Sequence, residues 1–231
     1  MSQYYGIDVS AHQGKINWTK VKGDGKSFAI LKASEGETYR DPTYQFNYQS
    51  AKAAGLVVGP YHYFRPGIDM QTQLNNFRGA VRDLAPGDLI PWVDVEDAVS
   101  RYEGGEVIPF SRIAADLSRF LPMADKAFGC TVGIYTGGWF WDRLAMPVQR
   151  RPLWVAWWDT NPGGNVRLPI GWTNYAVQQY SSEGVVSGIG GAVDLDHVPG
   201  SLDALRVGGE DTNTDLFRRI REILDILESR L

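Results

Sequence analysis

Short runs of apolar, β-branched and aromatic residues recur along the chain, with longer amphipathic stretches between them. Five of these runs, at residues 5–9, 28–33, 57–64, 89–95 and 132–135, read as buried strands, and three weaker ones follow at 153–157, 176–180 and 192–195. Helical spacing marks residues 42–54, ended by Gly55, residues 71–84, closed by Pro86 and Gly87, and residues 111–127. Strands separated by helices over the first 135 residues predict parallel pairing through right-handed crossovers. Between residues 150 and 196 the gaps are instead rich in Gly, Pro and Asn, so loops should join the later strands. The pattern predicts an α/β chain forming a (β/α)8-like barrel with an incomplete helical ring in its second half, plus a C-terminal helix.

The barrel is assigned to residues 1–207. Residues 208–214, Gly-Gly-Glu-Asp-Thr-Asn-Thr, read as a linker, and residues 215–231 as an amphipathic helix. Leu216, Ile220, Ile223 and Leu227 step by four, three and four, the spacing of a coiled-coil seam. Two heptads do not specify a coiled coil, so self-association through residues 215–231 and packing against the barrel both remain open.

Composition narrows the function. The chain has 231 residues, 43% of them hydrophobic and 22% charged, which suits one soluble domain with a large core. Eight Trp and eleven Tyr make the aromatic share somewhat high, which suits a sugar-binding cleft, although core packing is the commoner use. A net charge of -4 with scattered Lys and Arg leaves no footprint for nucleic acid. The lone cysteine, Cys130, excludes an internal disulfide. His12, His62 and His197 are isolated from one another, so neither a metal nor a cofactor is expected. Met1-Ser2-Gln3-Tyr4-Tyr5 lacks the segments of a signal peptide, and no run reaches the roughly eighteen apolar residues of a membrane span. Synthesis in the cytoplasm without membrane insertion is the expectation. A substrate outside the cell would then be reached by lysis, a holin-type pore or secretion.

Candidate chemistry lies in Asp94-Val95-Glu96, at the end of the fourth run. Strand side chains alternate, so the two acids point the same way, roughly 6 to 7 Å apart at about 3.3 Å of rise per residue. Burial and like charge would keep one proton on the pair, giving a general acid beside an ionised carboxylate. Taken alone, such a triplet more often serves as a helix cap and a solvated acid. However, Asp8 ends the first run and Asp194 the last, and barrels of this type carry their reactive groups at the C-terminal strand ends.

The ordered motifs Tyr5-Gly6-Ile7-Asp8-Val9-Ser10-Ala11-His12-Gln13-Gly14, Lys32-Ala33-Ser34-Glu35-Gly36 and Gly59-Pro60-Tyr61-His62-Tyr63-Phe64 precede Asp94-Val95-Glu96, and Gly133-Ile134-Tyr135-Thr136 and Val193-Asp194-Leu195-Asp196 follow it. Over about residues 4 to 200 this set resembles the family 25 glycoside hydrolases, lysozymes of the N-acetylmuramidase type found in bacteria and as phage endolysins. The resemblance implies hydrolysis of the β-1,4 bond between N-acetylmuramic acid and N-acetylglucosamine in bacterial peptidoglycan. It implies Glu96 as general acid and Asp94 as the group that orients the substrate's own acetamido nucleophile, with retention of configuration and with Asp8 and Asp194 flanking the pair. Tyr61, Tyr63, Lys32 and Tyr135 are similar candidates for sugar contacts. Of the heavy cluster Trp154, Trp157 and Trp158, alternation puts the first and last on one face, and Trp157 is taken as the stacking residue. A chitinase-like or endo-N-acetylglucosaminidase barrel and a non-catalytic wall-glycan-binding protein are the alternatives. The chitinase-like pattern usually shows a longer run of acids before the Glu, whereas positions 90 and 92 here are Ile and Trp.

Overall fold

The computed structural model describes residues 3–208 except 83, 102–103, 148 and 159–160. The expected C-terminal helix, and the linker from residue 209, lie outside the described residues. The chain runs β1 (Tyr4–Val9), α1 (Trp18–Gly23), β2 (Phe28–Glu35), β3 (Tyr39–Arg40), α2 (Tyr44–Ala53), β4 (Val57–Tyr63), α3 (Met70–Ala80) and β5 (Trp92–Asp94). It continues through α4 (Phe110–Phe128), β6 (Gly133–Gly137), α5 (Gly138–Trp141), β7 (Leu153–Ala156), β8 (Val177–Gly184) and β9 (Val193–Val198). All eight expected strands form. The two-residue β3, the short α1 and the single-turn α5 were not foreseen, because each is too brief to show a period.

Eight strands close into a barrel in the order β1, β2, β4, β5, β6, β7, β8, β9, while β3 pairs only with β2. Pairing is parallel from β1 round to β8, but β9 runs antiparallel to both β8 and β1. This corrects one expectation. Asp194 stands at the start of its strand, not at the C-terminal end. It still reaches the same rim because the strand is reversed, and it lies opposite Asp8 in the β1–β9 register.

Alternation sorts the side chains into two shells. Inside the barrel, Ile30, Tyr61, Trp92, Tyr135, Trp154 and Val177 belong to one apolar cluster. The outward residues of the first strands pack under the helices, with Val58 and Phe77 in one cluster and Val93, Phe120 and Ile134 in another. The inner shell depends on small residues beside large ones. A Cβ on Gly133 would sit 2.2 Å from the ring of Trp92, its register partner on β5.

Helix ends follow the sequence. Asn17 caps α1 through the Lys20 amide and Asp69 caps α3 through the Thr72 amide, while Gly129, at φ 69°, ends α4 in the left-handed conformation that glycine adopts without strain. The outside of β7 to β9 is covered by loop rather than helix. There the Gly163 amide donates to Gln178 Oε1 at 3.0 Å and Gln178 Nε2 donates to the Trp157 carbonyl at 3.0 Å. Among the described residues no helix is long and apolar enough to cross a membrane.

Candidate active site

The rim at the C-terminal ends of the parallel strands opens into a cavity of about 810 Å³. In the ring of eight, β2 stands opposite β7, and β5 opposite β9. Asp94 and Glu96 from the β5 end therefore face Asp194 of β9 across the opening, with Asp8 of β1 beside Asp194. All four carboxylates line the cavity. Its floor is aromatic, with Tyr61, Tyr135 and Trp154 in contact: Trp154 lies 6.0 Å from Tyr61 and 4.4 Å from Tyr135 between ring centroids.

Why these side chains converge is a matter of register. Asp94 follows Trp92 and Val93 on β5, and the Val95 amide donates to the Tyr135 carbonyl at 2.9 Å, which carries the extended backbone on to Glu96. The buried Val95 points outward into the helix layer, so Asp94 and Glu96 point in. Asp94 is 4% exposed, and its Oδ1 has no hydrogen-bond partner among the described residues.

Burial, then the neighbouring Glu96, holds the Asp94 carboxyl well above the usual carboxylate range. Burial, then Asp97, raises Glu96. The nearby cations Lys32 and Arg65 act in the opposite direction on both. The net effect is that both carboxyls of the pair hold a proton to higher pH than free carboxyls do. Opposite it, burial pushes Asp194 up to about 6, and burial together with Asp194 raises Asp8. Asp196, fully buried one inward position along β9, accepts from Trp154 Nε1–H at 2.8 Å and is also raised by burial.

Cations fix the wall near β2. Lys32 Nζ meets Glu35 at 2.7 Å, and Arg65 is paired with Glu35 at 2.7 Å and Asp97 at 2.6 Å. Burial works to raise the Glu35 carboxyl, but the two cations outweigh it and lower it. The Tyr63 ring stands 4.9 Å from Lys32 Nζ and 4.5 Å from Arg65 Cζ, a geometry that restricts its orientation.

The structure brings Lys32, Tyr61, Tyr63 and Tyr135 to the cavity wall with the four acids. It does not bring Trp157 there. Trp154 and Trp158 line the cavity, because residues 154, 156 and 158 alternate inward while Val155 and Trp157 turn outward, where the 161–165 loop covers that side. Sequence reasoning also missed Gln179. Its Nε2 donates to Asp8 Oδ2 at 2.8 Å, and its Oε1 accepts from Tyr135 Oη–H and Trp158 Nε1–H, each at 2.9 Å. Only its inward parity on β8 could have marked it. Arg65, Glu35 and Asp97 were missed as a unit, since their pairing joins segments about thirty residues apart. Among the described residues no cluster of three or more His, Cys, Asp or Glu is placed to hold a metal ion.

The sequence profile of the glycosyl hydrolases family 25 matches residues 7–189. The chain is 33% identical over 213 residues to Lysozyme M1 of Streptomyces globisporus, covering 87% of this chain and 69% of that one. It is 31% identical over 232 residues to the autolytic lysozyme of Clostridium acetobutylicum, covering 97% and 66%. The crystal structure of the bacterial lysozyme from Streptomyces coelicolor superposes with a TM-score of 0.78 at 30% identity, over 89% of this chain and 96% of that one.

Proposed function

Because this chain belongs to family 25 of the glycosyl hydrolases, we propose that it is a lysozyme of the muramidase type, which hydrolyses the β-1,4 bond between N-acetylmuramic acid and N-acetylglucosamine in peptidoglycan. The observation that carries the reading is the inward pair Asp94 and Glu96, set in an open, aromatic-floored groove beneath a facing Asp194. Binding alone needs no buried pair of carboxyls with raised proton affinity.

The chemistry follows from where the proton rests. Asp94 Oδ1 lacks a partner in the free protein, and the acetamido N–H of the sugar supplies one. A donor to Asp94 favours its anion and leaves the shared proton on Glu96. Glu96 then protonates the leaving glycosidic oxygen while the acetamido oxygen attacks the anomeric carbon. The resulting positive charge on the cyclised acetamido group is balanced by Asp94. Water, deprotonated by the Glu96 carboxylate, opens the ring and restores both groups with retention of configuration. Asp8 is held by Gln179, and with Asp194 it keeps the opening acidic and favours protonation of the pair. Tyr61, Tyr63, Tyr135 and Lys32 line the path of the glycan.

The test is mass spectrometry of muropeptides after digestion of purified peptidoglycan. Products with N-acetylmuramic acid at the reducing end are expected. Products ending in N-acetylglucosamine would move the protein to the endo-N-acetylglucosaminidases, and no release of reducing ends would leave a binding protein. The protein acts on the bacterial cell wall. Residues 215–231 carry the seam described above, and sedimentation of the full chain beside one ending at Gly208 tests it: an oligomeric mass for the full chain alone assigns the seam to self-association, and monomeric masses for both rule that out.

A further inference from the structure

Two tryptophans at the β7 side of the rim are left in water. Trp158 is 60% exposed and Trp139 52%, with ring centroids 6.1 Å apart. A pair of large exposed aromatics side by side is uncommon on a soluble surface unless something covers it. Both rings are held in place. Trp158 Nε1–H is fixed on Gln179 Oε1, the same amide that holds Asp8. Trp139, in the single turn of α5, lies against the backbone of Gly137, where a Cβ would come within 1.8 Å of its ring. Residue 137 at the end of β6 must therefore be glycine for the ring to lie where it does, although its φ of -106° would admit any residue.

The ring order of the barrel says which way this pair extends the site. With β2 and β7 opposite each other and the acids of β5 and β9 midway between them, the groove runs from Thr38 and Tyr39 beyond β2 across the acids to Trp158 beyond β7. Trp158 belongs to the cavity wall, whereas Trp139, its ring 6.1 Å away, does not and adds to the apolar surface beside it. A linear polymer lying in the groove leaves it over these two rings.

We propose that Trp158 and Trp139 form an outlying glycan subsite, a shelf on which sugar rings of the same strand stack beyond those flanking the cleaved bond. The ligand is a hexopyranose of the glycan backbone. Its apolar C–H face covers the indoles while its hydroxyls stay in water. The proposal rests on the muramidase reading for the direction of the strand, but it can be judged by binding alone.

The test uses the full chain carrying Glu96→Gln and peptide-free glycan fragments of two, four, six and eight sugars, with affinity read by calorimetry. Affinity is expected to rise with length, and Trp139→Ala in this background to abolish the last rise, leaving the longest fragment bound roughly tenfold more weakly. Trp139→Phe, which keeps a ring over Gly137, should restore most of it. Equal affinities with and without Trp139→Ala at every length would overturn the shelf. So would a loss as large on the two-sugar fragment as on the eight-sugar one, which marks a disturbed rim. A length dependence that appears only with stem peptides attached would assign the rings to peptide and overturn the sugar assignment. Failure of the wild-type chain to cut peptidoglycan would remove the muramidase reading and leave these binding outcomes readable.

Discussion

Glu96 can be interrogated with one atom changed. Glu96→Gln keeps the volume and removes the proton donor, so lysis of peptidoglycan in a turbidity assay is expected to fall about a hundred- to ten-thousand-fold with the melting temperature preserved. Normal turnover would strip Glu96 of its role. Asp194 allows a sharper test, because its environment sets a sign. Burial raises its pKa from 3.8 to about 6, so the folded state holds this proton more tightly than the unfolded chain does. Its contribution is most favourable below the unfolded value and is lost as pH rises through about 6. Asp194→Asn should therefore raise the melting temperature at pH 7.5 but not at pH 4, while lowering activity; destabilisation at pH 7.5 would contradict this environment. At this scale the acids were readable in the sequence because aspartate and glutamate at strand ends announce themselves. Gln179 and Trp158 were not, because strand parity was the one signal they carried and their residue types do not by themselves point to a catalytic rim.

Within the strands, packing rather than chemistry decides what a substitution does. Trp92 fills the barrel only because its β6 neighbour has no side chain, so Gly133→Ala, with its Cβ 2.2 Å from the indole, is expected to cost about 1–3 kcal/mol in urea unfolding. An unchanged midpoint would mean that Trp92 has room to shift. On β4, the outward His62 bridges Ser34 Oγ at 2.8 Å and Gln73 Oε1 at 3.3 Å, and burial lowers its pKa to about 4. A depressed histidine stabilises above the ordinary value near 6.5 and ceases to do so as pH falls toward 4. The stability lost between pH 6.5 and 4 should therefore shrink in His62→Gln relative to wild type; an identical acid limb in the two proteins would refute a buried neutral imidazole. All eight strands could be located in advance, since alternation of apolar residues is local. The reversal of β9 could not, because a period of two reads the same in either direction.

For the molecule as a whole, closure is the decisive event, and it joins β1 to β9 across nearly two hundred residues of sequence. The barrel and its thin second half were legible from the change in the gaps after residue 150. The facing arrangement of β5 and β9 was not, since it exists only once the ring is shut. A chain ending at residue 190 is expected to show no cooperative thermal transition and no wall lysis, and retention of either would mean that β9 is dispensable. The timing of synthesis inherits this geometry. Synthesis from the N-terminus delivers Asp8, Asp94 and Glu96 before Asp194, the acid that faces the pair across the opening. The rim of four acids is thus incomplete on any shorter chain, and it arrives in a single step when the last staves of the cask lock together.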